Sequence, residues 1–118
     1  MVSEAEKKAI DYVMKIETEK GNNPINRSKD KMGYDIESGN KRIEVKGRIG
    51  DKASIVHFNQ YNYASMQKAI RDDKEYLLYI VKIIDDDAKL KIMDVNEIIA
   101  RAKVKHGYDI RFSRKDFE

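Results

Sequence analysis

The sequence predicts a mixed α/β domain: a mixed central sheet flanked by helices. Three observations point there. Two alternating segments, about residues 32–38 and 41–48, meet at Gly39-Asn40, a dipeptide suited to a two-residue hairpin turn. The stretch Tyr76 to Ile84 is almost continuously apolar and rich in β-branched and aromatic types, as a strand buried on both faces must be. Segments with helical spacing lie on either side of these strands.

The elements follow in order. Ser3-Glu4-Ala5-Glu6 has the form of a capping box, Ala9, Ile10, Val13 and Ile16 then recur at helical spacing, and Gly21 is a stop. Residues 22–31 form a polar connection with the only proline. The hairpin comes next. Its register sets Ser38 against Lys41, Glu37 against Arg42, Ile36 against Ile43 and Asp35 against Glu44. Tyr34, Ile36, Ile43 and Val45 then share one face, expected to pack under the first helix. The charged side chains take the other, in a cleft or in water. Ile49 to Lys52 reads as a loop, and Ala53 to Phe58 as a third short strand.

Asn59 caps a second helix to about Asp72, with Tyr63, Met66 and Ile70 on one face. Tyr76 to Ile84 is the central strand. Asp85-Asp86-Asp87 turns the chain, and Lys89 to Met93 alternates as an outer strand. Asp94 or Asn96 caps a last helix through about Lys103. Tyr108 to Phe112 adds an edge strand. The order is α-β-β-β-α-β, then β-α-β.

The 118 residues suit one domain spanning 1–118. No apolar run reaches the length of a membrane span, and the N-terminal residues lack an export signal. No cysteine is present, which excludes disulfides, thiol nucleophiles and cysteine-based zinc sites; a cytoplasmic protein is expected. A net charge of +3 and a pI near 9.0 suit a nucleic-acid partner without arguing for one. Gly47-Arg48-Ile49-Gly50 lacks the pattern of an ATPase phosphate loop. His57 and His106, the two histidines, have no ligand spacing, and a strand-end or surface role suits them.

Chemistry concentrates in the hairpin. Directly opposed side chains have Cβ atoms about 5 Å apart, and like charges there repel. Asp35 against Glu44 is therefore costly unless a cation lies between them. Two carboxylates suit a hard ion such as Mg²⁺. Glu44 and Lys46 point the same way, roughly 6.6 Å apart along the strand, so Lys46 is placed to orient a water or offset charge on a phosphate. The same residues also fit a solvated hairpin face. There Glu37 pairs with Arg42, and Arg42 or Lys46 offsets Asp35.

An acidic residue on one strand and Glu-x-Lys on the next, inside α-β-β-β-α-β, resembles the PD-(D/E)XK nuclease superfamily. Holliday-junction resolvases and Mrr-like restriction endonucleases belong to it. Gly33-Tyr34-Asp35 stands here where many members have Pro-Asp. Residues 6–17, Gly33 to Ile36, Ile43 to Arg48, Asn59-Gln60 and Leu77 to Val81 resemble more closely the domain at the C-terminus of the plant protein NO VEIN, which is also appended to prokaryotic helicases and restriction-type proteins.

The resemblance implies a restriction-endonuclease-like fold and a Mg²⁺-dependent DNA endonuclease, with Mn²⁺ as a substitute. Asp35, Glu44 and the Val45 carbonyl would hold the metal, and Lys46 would assist the water or phosphate. Superfamily members often bring a first-helix glutamate near the metal. Glu6 and Glu17 are the candidates here, though Glu6 has a competing task in the capping box and Glu17 also suits the surface. Gln60 would orient the water or touch a phosphate; the bland alternative is a solvated residue of the first helical turn. Arg42, Arg48, Lys31 and Lys52 are candidate DNA contacts, within a group that includes Lys29 and Lys41; Arg111, Arg114 and Lys115 form a second group. Tyr61 and Tyr63 suit base stacking, with core packing the better account of Tyr63. A homodimer and a helicase or ATPase partner are also implied. The rival expectation is a catalytically silent DNA-binding or assembly module of a helicase or defence system. Gly107-Tyr108-Asp109-Ile110 repeats the first motif with no Glu-x-Lys after it, so the signal lies in the combination.

Overall fold

The computed structural model describes residues 3–52, 55–104 and 108–118. Helix α1 (Glu4–Glu19) opens on Ser3, whose hydroxyl accepts the Glu6 N–H. It ends where Gly21 turns to φ +84° and the Asn22 N–H reaches back to the Glu17 carbonyl. A five-stranded sheet follows the order β1-β2-β3-β5-β6, from β1 (Ile25–Asn26), β2 (Ile36–Ser38), β3 (Lys41–Ile49), β5 (Glu75–Ile84) and β6 (Asp87–Met93). β3 and β5 run parallel, so the chain between them must cross over. Strand β4 (Ile55–Phe58) and helix α2 (Gln60–Arg71) make that crossover. Helix α3 (Val95–Arg101), strands β7 (Ala102–Val104) and β8 (Tyr108–Arg111) and a final 3₁₀ turn (Arg114–Phe117) complete the chain.

The apolar run of β5 feeds two cores. Leu77, Tyr79 and Val81 join Ile36, Ile43 and Val45 beneath Ala9, Ile10 and Val13 of α1. Tyr76, Leu78 and Ile80 face the other way, against Val56, Phe58, Met66, Met93 and Ile98. The hairpin register is the expected one from Ile36–Ile43 to Ser38–Lys41. Asn59 caps α2 through a reciprocal pair of bonds with Asn62, and Asp94 caps α3.

Several expectations need correction. Tyr34 does not share the Ile36 face; it is buried in the opposite core, because the two-residue alternation breaks at Asp35. Ile70 is exposed, and α2 instead buries Asn62, Ser65, Met66 and Ala69. The last helix stops at Arg101, and the next three residues form a strand. β8 is not an edge: it lies between β4 and β7 in a second sheet of three strands. The polar connection contains the short strand β1. Glu37 and Arg42 are ladder partners, yet the Glu37 carboxylate ion-pairs with Arg27 at 3.5 Å. Residues 53, 54 and 105–107, which include the start of the expected third strand, His106 and Gly107, lie outside the described residues.

Gly47 explains how closely α1 approaches β3. A Cβ there would strike the Ala5 carbonyl oxygen and the Ala9 methyl. Backbone cannot yield as a flexible side chain can, so Gly47→Ala is expected to cost about 1–3 kcal/mol. Chemical denaturation would read this as a lower midpoint at unchanged slope.

Candidate active site in the hairpin cleft

The site begins where the ladder between β2 and β3 fails. The Asp35 N–H bonds the Ile43 carbonyl at 2.8 Å, and its Oδ2 accepts the Val45 N–H at 2.9 Å. A side chain thus takes the acceptor place that the backbone of a continuing strand would fill. β2 starts at Ile36, so Asp35 and Glu44 are not ladder partners, but their carboxyl groups still meet by hydrogen bonding. A residue's N–H and C=O leave a strand along the same edge. The Val45 carbonyl therefore faces the Asp35 side, beyond the end of β2.

Gly33 sets the approach to Asp35. It adopts φ +79°, and a Cβ on it would lie 2.5 Å from the Tyr61 carbonyl oxygen of α2. Its own carbonyl accepts the Asn62 amide at 3.1 Å and the Tyr76 hydroxyl at 3.0 Å. These bonds clamp the loop between α2 and β5. The start of α2 and this loop then form the walls of a cleft of about 510 Å³. Asp35 and Glu44 line it together with Lys31, Asn59, Tyr61 and Asn62.

Glu44 is 6% exposed. Burial, and then the charge of Asp35, push its carboxyl up to about 8, although Lys46 Nζ lies 3.1 Å from Oε2 and opposes the shift. Burial also raises Asp35, against the Val45 N–H, the bond with Glu44 and the charge of Lys46. One lysine does not offset a buried carboxylate with a second, half-buried one beside it, so near neutral pH the pair retains a proton.

Glu6 stands close by. Burial raises its carboxyl, Lys46 and Arg48 draw it down, and Asp35 pushes it up. Its backbone N–H serves the helix cap while its side chain turns toward Gly47 and Arg48. Glu17 is elsewhere. Fully buried at the far end of α1, it accepts bonds from Ser38 at 2.9 Å, Asn22 at 3.0 Å and Tyr79 at 3.2 Å. Burial alone would raise it, but these bonds and Lys41 hold it below the usual carboxylate range.

The remaining predicted residues are dispersed. Gln60 is exposed at the start of α2, outside the residues that line the cleft. Lys31 forms part of the lip, in a left-handed conformation at φ +54°. The Arg42 guanidinium lies 5.5 Å from the centre of the Tyr34 ring. Arg48 donates to the Gly47 carbonyl at 2.7 Å and borders Glu6. Lys52 is exposed in the turn after β3. Arg114 is ion-paired with Asp51 at 2.8 Å. Asp109 of the repeated motif pairs with His57 at 3.2 Å in the second sheet, apart from the cleft. Sequence reasoning missed the Asn62–Gly33–Tyr76 clamp. The Asn59-x-x-Asn62 spacing was its only sign.

The donor set fits a divalent cation. A buried and a half-buried carboxylate and a strand carbonyl are hard oxygen ligands, and an ion between them would take the place of the proton that burial and mutual repulsion retain. Among the described residues no group of three or more acidic or histidine side chains forms an ion site. Asp35, Glu44 and Val45 would thus leave the other positions to water and phosphate.

Comparison with known proteins follows this geometry. The family described as Protein NO VEIN, C-terminal, matches residues 5–93. The structure is similar to that of Hjc, a Holliday junction resolvase from Archaeoglobus fulgidus. The TM-score is 0.56 at 12% identity, over 91% of this chain and 89% of that one. The fold, a mixed central sheet flanked by helices, is therefore similar to that of Hjc. No curated protein matches the sequence.

A free carboxyl titrates near 4.5, and Glu44 in the folded protein near 8. Across that window the folded state keeps a proton that the unfolded chain has lost. Without metal, stability attributable to Glu44 is expected to fall as pH rises from about 4.5 to about 8 and to level off above. Thermal melts of Glu44→Gln should lack this component. The gap between variant and wild type should widen in the variant's favour toward pH 8; a constant gap would refute the assignment.

Proposed function

The chain belongs to the NO VEIN C-terminal family, and from that premise we propose that residues 1–118 act as one Mg²⁺-dependent DNA endonuclease domain. The observation that carries this reading is the pairing of half-buried Asp35 with buried Glu44, facing a cleft, with Lys46 3.1 Å from Glu44. In Hjc the same type of fold belongs to a Holliday junction resolvase. This supports a DNA substrate.

Asp35, Glu44 and the Val45 carbonyl would hold the metal, with Mn²⁺ able to substitute. When bound, the ion would polarise a phosphate oxygen and acidify a water. The protein's own groups do the rest. Glu44 and Asp35 give up their retained proton as the site fills. The Val45 N–H fixes one Asp35 oxygen and leaves the other to face the cleft. Lys46 then has a phosphate or water within reach of its ammonium and offsets charge as the phosphoryl group is attacked. Glu6, behind Lys46, is better placed than Glu17 to support it. Arg42, Arg48, Lys31 and Lys52 would contact DNA, and Gln60 would orient the water or touch a phosphate from the start of α2. A second copy of the chain, or a helicase or ATPase, would complete a working assembly.

A second reading has its own support. The Lys46–Glu44 ion pair and the lack of a three-acid ion site among the described residues also suit a catalytically silent DNA-binding or assembly module.

Calorimetry with Mg²⁺ or Mn²⁺ separates the two. The wild type should bind the ion with release of protons, and Glu44→Gln should not. Lys46→Ala should fold normally and cleave DNA about 10²–10⁴-fold more slowly. No metal-dependent heat and no cleavage of duplex, branched or single-stranded DNA would leave the silent module standing.

A further inference from the structure

The carboxylate cleft has a neighbour of opposite sign. A second groove, of about 400 Å³, shares with it the wall from Lys31 to Tyr34 and the side of Tyr61. Its cations are Lys31, Arg42, Lys68 and Arg71, and among the described residues no carboxylate lines it. Lys68 and Arg71 stand three residues apart on α2 and so occupy one face of the helix. Arg42 approaches from β3, its guanidinium steadied over the Tyr34 ring at 5.5 Å. Tyr61 belongs to both grooves and is 69% exposed, a large aromatic surface with water on it.

We propose that this second groove is a single-strand DNA subsite: Arg42, Lys68 and Arg71 hold the phosphates next to the one at the carboxylates, and Tyr61 stacks on a base at the ridge between the grooves. The proposal rests on the nuclease reading of the cleft and adds the class of substrate. A cationic track beside an exposed aromatic ring is the pattern by which single strands are held. The ring needs the face of an unstacked base, which a paired duplex hides. The scissile phosphate then enters an acidic cleft because its neighbours sit in a basic one. Lys68 and Arg71 also complement the C-terminal dipole of α2. That role acts on stability, however, and leaves the salt dependence of DNA binding untouched.

The test is fluorescence polarisation of the full chain in EDTA, with a labelled oligothymidylate and a hairpin duplex as probes. The oligothymidylate should bind more tightly. Lys68→Ala/Arg71→Ala should weaken it at least fivefold and flatten the slope of log affinity against log salt by about 1.4, about 0.7 for each lost phosphate contact. Tyr61→Ala should weaken it by about fivefold or more with the slope kept. Lys68→Arg/Arg71→Lys should restore the slope. Tighter binding of the duplex, or a wild-type slope in the double alanine variant, would overturn the proposal. If only the groove reading fails, binding ignores Lys68 and Arg71 while metal uptake at Glu44 persists. If only the nuclease reading fails, metal uptake is absent while the groove variants still weaken the oligothymidylate, and the subsite remains as a strand-binding groove.

Discussion

Val45 finds its hydrogen-bond acceptor in a side chain. One strand edge lacks a backbone neighbour at that position, and the Asp35 carboxylate supplies the missing oxygen at 2.9 Å. A buried N–H left without an acceptor would be costly, so this bond fixes Asp35 as firmly as a ladder would. The break it replaces has three results. It turns Tyr34 into the opposite core, aims the Asp35 carboxylate at Glu44, and leaves the Val45 carbonyl beyond the end of β2.

Two glycines bring the rest of the molecule to that break. Gly33 lets the loop before Asp35 press on α2, where Asn62 and Tyr76 hold its carbonyl. Gly47 lets α1 settle on β3, which carries Glu6 toward Lys46 and Arg48. The parallel pairing of β3 with β5 gives both approaches a rigid base, because β5 packs on both of its faces. Sheet, helices and carboxylates are thus tied by close backbone approach at Gly33 and Gly47 and by side chains bonded to the backbone at Gly33 and Val45.

Much of this was legible in the sequence, for physical reasons. Gly39-Asn40 fixes a two-residue turn, and the turn fixes the register. Glu44 and Lys46 then share a face whatever the tertiary structure. The long apolar run identified β5, since no strand with a wet face needs so many buried residues. Other features depended on long-range geometry. Alternation placed Tyr34 with Ile36 because a period of two carries no information about where a ladder ends. Ile70 has helical spacing with Met66, but α2 buries a narrower stripe that includes the polar Asn62 and Ser65. Glu6 and Glu17 stood equal in sequence, and only the packing of α1 put one beside Lys46 and the other beside Ser38. The strand at Tyr108 was visible, but its place between β4 and β7 was not, because pairing across fifty residues leaves no local trace.

The two buried glutamates serve as controls for each other. The Glu17 side chain is fully covered and well partnered, by two hydroxyls, an amide and the ammonium groups of Lys20 and Lys41. Its carboxyl lies below the ordinary range, as expected where the fold has arranged to keep a charge. Glu44, 6% exposed, sits deeper in the protein than Glu17, and the charged groups beside it are another carboxylate and a single lysine. Its carboxyl rises to about 8. This chain is therefore able to satisfy a buried glutamate and does so at one end of α1. The strain at the other end cannot be put down to a general shortage of partners. It persists where the cleft opens, next to the strand break and the basic groove, and a positive ligand from outside the chain would remove it.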